Sequence, residues 1–357
     1  MIDDAAPGVA TGVEQGRHRF PWAITTVIHR GSAASNLPPM RILFWFRKDL
    51  RLADNTGLHE AARDAAGKVV PFYTNRVRPV GARGGIAARR RLARFVRHGV
   101  ARYATGRDFL ADDASSRLSA DLRSGTLPPR TVAAAVLGAA RAAPRDRAPA
   151  ASAEKFVAEL RWRDFYAHVL HHFPHCEHGA FRREYDRIRW QGDPAHLDAW
   201  QAGRTGYPVV DAAMRELAAT GFMHNRARMI VASFLTKDLL LDWRLGERRF
   251  MRHPVDGDPA SNNGGWQWAA GTGTDAQPYF RIFNPVLQGQ RFDPEGTCVR
   301  RWVPELERMP ARWIHRPWEA PARVLEEAGV RLGIGYPERI VEHEKQREPA
   351  LAMYRIQ

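Results

Sequence analysis

The sequence has little cysteine and no long apolar run, and each shortage excludes a class of protein. Among 357 residues there are two cysteines, Cys176 and Cys298, which are too few for a disulfide framework and lack the spacing of a zinc site. This scarcity fits a reducing compartment. No apolar segment approaches the roughly 20 residues of a membrane span, and no secretory signal is apparent near the start.

Lysine is also scarce, so arginine carries nearly all of the positive charge. The chain has five lysines among its 54 basic residues and a formal net charge of +15. Arginine richness by itself often reflects genome composition. The excess of positive over negative charge is the stronger observation, and it favours a polyanionic partner such as a nucleic acid.

The pattern of elements predicts a short α/β segment followed by a long helical domain, hence a mainly α fold. Apolar runs at 42–46 and 69–73 predict buried strands around a helix at 57–66, which makes one βαβ unit. Two strands cannot cover both faces of a sheet, so this unit is incomplete. We expect a disordered extension, a truncated α/β unit, a linker and a helical domain, with boundaries at 1–39, 40–75, 76–85 and 86–357. Met40 is an alternative start.

Helical periodicity continues through most of the larger domain. From Ile86 onward an apolar face recurs at helical spacing, and a second helix is predicted at 153–172, before Pro174. Pro208 opens a further helix, which Gly221 ends, and residues 225–241 form an apolar helix.

The segment 256–268 is the most informative in the chain. It combines two carboxylates (Asp256, Asp258), adjacent amides including Asn262, a glycine pair and the tryptophans Trp266 and Trp268. Buried amides and carboxylates need partners, while glycines allow close backbone approach. The segment is either a socket for a polar aromatic ligand such as a flavin or an ordinary turn beside two core tryptophans.

Two other clusters can each be interpreted either as functional or as purely structural. Ser115, Ser116, Arg117, Leu118 and Ser119 could hold a pyrophosphate or could form a helix N-cap. Further on, Glu159, Trp162 and Arg163 share one helical face, which suits hydrogen bonding and stacking to a base. The alternative is a surface Glu–Arg pair with a core tryptophan.

The helix opening at Met223 carries a third group. Asn225, Arg228 and Met229 share a face, and Arg228 needs a carboxylate partner, either Asp256 or Asp258, if it is buried.

Tryptophan and histidine raise two further possibilities. Trp190, Trp243 and Trp266 could pass an electron by short hops if they pack together, or they could be ordinary core residues. Histidines and Cys176 between 171 and 178 resemble a metal cluster. Their spacing matches no zinc pattern, so a solvated helix end is favoured and no metal is expected.

Taken together, these motifs resemble the photolyase/cryptochrome family. The motifs that carry the resemblance, in family order, are Phe46 through Asn55, Ser-Arg-Leu-Ser at 116–119, Trp-Arg-Asp-Phe at 162–165, Thr-Gly-Tyr-Pro-Val-Val-Asp-Ala-Ala-Met at 205–214, Met-His-Asn-Arg-Ala-Arg-Met at 223–229, and 256–268. From about Gly84 to the end the chain is similar to class I cyclobutane pyrimidine dimer photolyases. The resemblance implies an α/β antenna domain before an all-helical domain that holds FAD.

The resemblance also implies roles for individual residues. FAD would be held by Tyr103, Ser115, Ser116, Arg117, Leu118, Ser119, Arg163, Arg228, Asp256, Asp258 and Asn262. The catalytic group would be Glu159, Asn225 and Asn262, with Asn262 facing flavin N5. The lesion pocket would be lined by Glu159, Trp162, Asn225, Arg226, Met229 and Trp268. The electron-transfer chain would run outward through Trp266, Trp243 and Trp190.

The implied activity is light-driven repair of cyclobutane pyrimidine dimers in DNA by electron transfer from excited FADH⁻. The lesion would be flipped into the pocket, as in other enzymes that act on a base; photolyases are among the standard examples. The (6-4) photolyases have histidines where Asn225 and Met229 stand, which favours cyclobutane dimers. We expect a monomer in the bacterial cytoplasm, associated with the nucleoid.

The sequence departs from the family pattern in its antenna half. After the second strand the chain passes directly into the linker, so an antenna pigment such as a folate or deazaflavin has little to bind and is expected to be absent. Phe156 also replaces a tryptophan of the FAD pocket. Three hypotheses remain: a repair enzyme, a non-repairing cryptochrome-like photoreceptor or degenerate remnant, and a flavin-free basic DNA-binding module.

Overall fold

The computed structural model describes residues 26–28, 42–46, 69–73, 84–143 and 149–355. A three-stranded sheet is formed by β1 (Thr26–Ile28), β2 (Ile42–Phe46) and β3 (Val69–Tyr73), in that order. β2 and β3 are parallel, and β1 is antiparallel to β2. Both predicted strands are confirmed, whereas the helix expected at 57–66 and the motif 47–55 lie outside the described residues.

β1 corrects one expectation. It lies within 1–39, which was predicted to be disordered, yet its three residues pair with Ile42, Leu43 and Phe44 of β2. The prediction is therefore wrong for these residues, because an unpaired edge of β2 offers backbone groups that a preceding segment can satisfy.

Fifteen α-helices, with short 3-10 and π-helical segments and loops between them, follow the strands in the described residues, as the mainly α prediction requires. They are α1 (Gly84–Arg94), α2 (Tyr103–Gly106), α3 (Ser119–Ser124), α4 (Pro129–Ala142), α5 (Pro149–His172), α6 (Ala195–Ala202), α7 (Pro208–Thr220), α8 (Asn225–Ser233), α9 (Trp243–Arg252), α10 (Pro259–Ala270), α11 (Pro285–Phe292), α12 (Thr297–Trp302), α13 (Ala311–Ile314), α14 (Ala322–Ala328) and α15 (His343–Met353).

Helix ends follow the signals in the sequence. α7 begins at Pro208, whose missing N–H would have had no partner there, and ends before Gly221, which has a left-handed φ of 70°. α5 ends at His172, two residues before Pro174, as predicted.

The helix predicted at 225–241 is shorter in the structure. α8 ends at Ser233, a π-helical turn follows at Phe234–Asp238, and Leu240 has a positive φ of 55°. The wide turn lets buried side chains find partners: Lys237 reaches the carbonyl of Ala270, and Asp238 reaches His343 of α15. These tertiary bonds replace the regular helix, which local sequence cannot foresee.

Two hydrophobic cores position the site. One packs α7 to α10 around Trp200, Trp243 and Trp266, and the other packs α1, α2, α4 and α5 around Phe95, Tyr103 and Phe156. α5 also contacts α10 directly, so residues from the two cores meet along these helices.

Candidate functional site

The segment 256–268 forms the start of α10. Asp258 is the N-cap, and its Oδ1 accepts a hydrogen bond from the Ser261 N–H at 3.0 Å, while Pro259 occupies the first helical position. The carboxylate and proline therefore fix where the helix starts. The turn interpretation holds only for the residues before Pro259, because the amides and tryptophans that follow project from a regular helix.

Asp256 lies just before this helix and pairs with Arg228 of α8. Arg228 Nη2 donates to both carboxylate oxygens, at 2.9 and 2.8 Å, and its Nε donates to the Met223 carbonyl at 3.0 Å. The Asp256 side chain is 7% exposed and that of Arg228 is 28% exposed. Of the two partners considered for Arg228, the structure brings Asp256 to it, and Asp258 instead lies 3.8 Å from Arg123.

Asn262 lies one turn into α10. Its Nδ2 donates to the Glu247 carbonyl at 3.0 Å. A carbonyl can only accept, so this bond fixes the amide orientation and leaves Oδ1 as the acceptor for another group.

The adjacent glycines have different functions. A Cβ at Gly264 would lie 2.0 Å from the Tyr166 ring, so this glycine allows α5 and α10 to pack closely. A Cβ at Gly265 would meet no heavy atom within 4 Å. One glycine is therefore a packing requirement, while the other borders open space.

The loop 115–119 does not cap a helix with its hydroxyls. Leu118 occupies the N-cap position of α3 without a side-chain hydrogen bond to the helix, and Ser116 Oγ accepts from the Leu118 N–H at 3.3 Å. Arg117 has a left-handed φ of 51° and lies over the Phe222 ring at 4.7 Å. The N-cap alternative is therefore wrong. At the two ends of the loop, Ser115 is half-buried and Ser119 is exposed.

A cavity of about 410 Å³ opens beside this loop. Arg94, Arg117 and Arg301 contribute positive charge to its lining, and Phe222 contributes a ring. Glu216, also in the lining, has its pKa raised by burial, an effect that nearby arginines including Arg117 oppose.

Tyr103 is largely buried beside α5. It is 7% exposed and packs edge-on against Phe95 and Phe156, with ring centres 5.9 and 5.2 Å apart. Burial raises the pKa of Tyr103 to about 12. Phe156, which replaces a tryptophan of the family pattern, belongs to this same core.

One face of α5 presents a carboxylate and an exposed tryptophan together. Trp162 is 39% exposed and stacks on Tyr166, with ring centres 5.9 Å apart, so it is not a core residue. Glu159 forms an ion pair with Arg107, at 2.5 Å, and not with Arg163 on its own helix. Arg163 pairs with Asp164 at 3.5 Å. Tyr166 and Trp268 line the same small cavity.

α8 supplies a second group of predicted residues. Asn225 is exposed, and its Nδ2 lies 4.0 Å from the sulfur of Met229. Arg226 pairs with Asp108 at 2.8 Å and lies over the Phe292 ring. The buried His224 caps α8 by accepting from the Arg226 N–H, and burial lowers the pKa of His224 to about 4, which keeps this acceptor neutral.

The tryptophans separated in sequence share one core. Trp243 and Trp266 are 1% and 3% exposed, and half-buried Trp190 packs against the same cluster. The direct ring neighbours of Trp266 are Phe250, at 5.2 Å, and Trp200, at 6.1 Å. Trp243 and Trp266 are therefore core residues and Trp190 lies at the edge of that core, while the electron-transfer role stays a prediction.

Sequence reasoning missed Arg107, Asp108, Tyr166 and Trp200. Arg107 follows Tyr103 by one helical turn and could have been noticed by that spacing, but its partner on α5 lies 52 residues away.

Neither a metal-binding cluster nor a membrane-spanning helix is found among the residues that the structure describes. That part of the chain contains no group of three or more histidine, cysteine or acidic side chains arranged to hold a metal ion. Nor does any helix within it have the length and apolarity to span a membrane.

Family models and curated proteins match this chain. Residues 156–356 match the family model described as the FAD binding domain of DNA photolyase, and residues 42–105 match the DNA photolyase model. The deoxyribodipyrimidine photo-lyase of Escherichia coli (strain K12) is 51% identical over 269 residues, covering 75% of this chain and 55% of the relative. The corresponding protein of Agrobacterium fabrum is 48% identical over 271 residues, with 76% and 56% covered.

Solved structures give the same result. A bacterial class III photolyase from Agrobacterium tumefaciens has a TM-score of 0.72 at 48% identity, with 76% of this chain and 55% of that chain covered. A cryptochrome from Synechocystis sp. PCC6803 has a TM-score of 0.70 at 31% identity, with 84% and 67% covered. The chain spans about half the length of the curated relatives it matches.

Proposed function

The chain belongs to the photolyase/cryptochrome family, and on that premise we propose that it repairs cyclobutane pyrimidine dimers in DNA under blue light. The observation that carries the proposal is the exposed face of α5, where Glu159 and Trp162 lie one turn apart. A partly exposed carboxylate beside an exposed indole contributes little to the packing of a protein core. A flipped pyrimidine dimer has both a ring face to stack on and polar edges to bind.

The residues present fit FAD. Asn262 Oδ1 is left as an acceptor, Gly265 borders open space, and the hydroxyls at 115–119 do not cap α3. We propose that FAD is held by Tyr103, Ser115, Ser116, Arg117, Leu118, Ser119, Arg163, Arg228, Asp256, Asp258 and Asn262. When bound and excited by light, reduced FAD would supply the electron that opens the cyclobutane ring and would take it back afterwards.

The side chains of the protein would border the cofactor and would position and stabilise the lesion. The Arg228–Asp256 pair satisfies both of its charges internally, so it can border a cofactor without an unpaired charge. Glu159 would accept hydrogen bonds from the lesion, and Trp162 and Trp268 would cover its rings. Asn225, Arg226 and Met229 would form the wall on α8.

We further propose direct flavin excitation without a folate or deazaflavin antenna. Ten residues, 74–83, separate β3 from α1. A doubly wound pigment-binding domain would require several more strands at that point. Class I character also remains a proposal, since the similar Agrobacterium structure is described as class III.

The proposed partner, oligomeric state and cellular location rest on charge and composition. The net charge of +15 supports lesion-containing DNA as the partner. We propose a monomer that works in the bacterial cytoplasm on nucleoid DNA.

A second candidate function is a cryptochrome-like photoreceptor or a degenerate remnant. It is favoured by the Synechocystis cryptochrome, which covers a larger share of this chain than the Agrobacterium photolyase does. The lesion-facing residues Glu159, Trp162 and Asn225 weigh against it, because a sensor has no need of a dimer pocket.

The test is repair by the purified chain. Bound flavin absorbance is recorded, the flavin is reduced, and loss of thymine dimers from an oligonucleotide is followed under blue light and in the dark. Glu159→Ala should lower the yield. Glu305→Ala is the matched control, since Glu305 is 31% exposed and also pairs with an arginine. Bound flavin without repair would favour the photoreceptor, and a colourless protein that still binds DNA would favour the binding module.

A further inference from the structure

Arg107 is held in place more firmly than a surface arginine. Its side chain is 13% exposed and lies over the Tyr103 ring at 5.2 Å. Burial acts to lower the pKa of Arg107, but the hydrogen bond to Glu159 and the nearby groups Tyr103, Glu159 and Asp108 act to raise it, and the pKa is raised overall. Arginine stays charged in proteins, so this largely buried guanidinium requires a carboxylate partner.

The contact with Glu159 uses one of two carboxylate oxygens. Arg107 Nη1 donates to Glu159 Oε1 at 2.5 Å. Glu159 is the more exposed partner, at 32%, so its other oxygen, Oε2, can accept from a ligand. A glutamate on an open helix face would otherwise sample several rotamers, and this ion pair selects one of them.

The same arginine connects the two walls of the proposed pocket. Arg107 Nε lies 4.0 Å from Asp108, and Asp108 pairs with Arg226 at 2.8 Å. Glu159 is on α5 and Arg226 is on α8 beside Asn225, so four charges of alternating sign link these helices. Two positive and two negative groups balance, which leaves the row neutral.

We propose that Arg107 is a positioning residue for Glu159, fixing the carboxylate so that Oε2 faces the lesion. This inference rests on the proposed function, because it assigns Glu159 to the lesion pocket. Arg107 acts through Glu159 and does not itself need to touch DNA. The competing assignment, a phosphate contact by Arg107, makes opposite predictions about salt.

The test compares Arg107→Gln, Arg107→Lys, Glu159→Gln and the double variant. The matched control is Arg215→Gln, because Arg215 pairs with Glu305 at 2.7 Å with side-chain exposures of 21% and 31%. Two quantities are measured: repair yield per absorbed photon at saturating DNA, and dark affinity for one duplex with and without a thymine dimer across a range of salt concentrations.

A positioning role predicts a fall in yield for Arg107→Gln of about three- to tenfold, no larger than for Glu159→Gln, and non-additive in the double variant. Arg107→Lys should recover part of the yield, since it keeps the charge. The dark preference for the dimer-containing duplex should fall in Arg107→Gln. The salt dependence of binding should stay that of the wild type, and Arg215→Gln should match the wild type throughout.

Two outcomes would overturn the proposal. One is an unchanged yield together with a salt slope shallower by about 0.9, which marks a lost phosphate contact. The other is additive losses in the double variant. If the wild type itself does not repair, the proposed function fails, yet the dark preference still tests Arg107: an unchanged preference in Arg107→Gln refutes the positioning role.

Discussion

Lys237 gives the sharpest test of the energetics of this fold. Its ammonium is fully buried, donates to the Ala270 carbonyl at 3.0 Å and lies 3.7 Å from the Tyr354 ring centre. That carbonyl ends α10 and also accepts from the Tyr354 hydroxyl. Replacing Lys237 with methionine removes the charge, keeps a chain of similar length, and leaves the carbonyl with a donor.

Desolvation of the Lys237 ammonium sets the size of the expected change in the free energy of unfolding. Burial lowers the pKa of Lys237 from 10.5 to about 7. At 1.36 kcal/mol per pKa unit, charging this amine in the folded state costs about 4 kcal/mol at pH 7. A folded-state pKa of about 7 already includes whatever stabilises the charged amine, so the substitution gives up only the hydrogen bond of the amine to Ala270, about 1 kcal/mol. We therefore expect the free energy of unfolding of Lys237→Met to exceed that of the wild type by about 3 kcal/mol at pH 7.

The lowered pKa of Lys237 also predicts how the free energy of unfolding changes with pH. Between pH 7 and 10.5 the unfolded chain binds a proton at Lys237 that the folded chain has lost. The free energy of unfolding of the wild type should therefore rise with pH in this window, by up to about 1.4 kcal/mol per unit from this residue. The methionine variant should lack that contribution, so its advantage should shrink and vanish by about pH 10.

Urea unfolding at pH 7, 8, 9 and 10, followed by far-UV circular dichroism, measures both effects. Lys345→Met is the matched control, because Lys345 is 70% exposed and should change neither stability nor its pH dependence. A methionine variant that is less stable than the wild type at pH 7 would show that the bond and the ring contact outweigh desolvation. Parallel pH curves for the two proteins would refute the shifted pKa.

Three further substitutions test the packing of the site. Gly246→Ala would put a Cβ 2.1 Å from the Trp266 ring, so we expect a loss of about 1–3 kcal/mol in chemical unfolding and slower flavin photoreduction by absorbance. Gly265→Ala should leave the unfolding of the flavin-free chain nearly unchanged but lower the flavin-to-protein ratio; an unchanged ratio would argue against a cofactor at that face. Asp211→Asn should lose about 2–4 kcal/mol, because the buried carboxylate accepts four hydrogen bonds within 3.1 Å, two from N–H groups and two from hydroxyls; a smaller loss would mean that the amide can replace it.

Local chemistry made several elements predictable. Pro208 and Gly221 bound α7 because one lacks a donor that has no use at a helix start and the other tolerates a left-handed φ. The strands at 42–46 and 69–73 are short apolar runs and pair in parallel, as expected. The predicted site residues Asp256 and Arg228 pair because a buried charge requires an opposite one.

Contacts distant in sequence were not predictable in the same way. The bond between Glu159 and Arg107 joins residues 52 positions apart, and neither identity nor spacing selects one arginine among many. The helix predicted at 225–241 ends at Ser233 because buried Lys237 and Asp238 find their partners elsewhere in the chain. The N-cap alternative at 115–119 fails because the backbone, not the hydroxyl pattern, places Leu118 at the helix start.

Periodicity, helix-end signals and motif order are local properties, so the mainly helical fold, the family and the candidate site residues follow from the order of amino acids. Which charges pair, and which glycine of the pair at 264–265 borders open space, follow only from the packing of the helices. It also placed Trp200 and Phe250, instead of Trp243, against the ring of Trp266. The physical reason is that partner choice depends on how helices pack, and packing is set by the whole core at once.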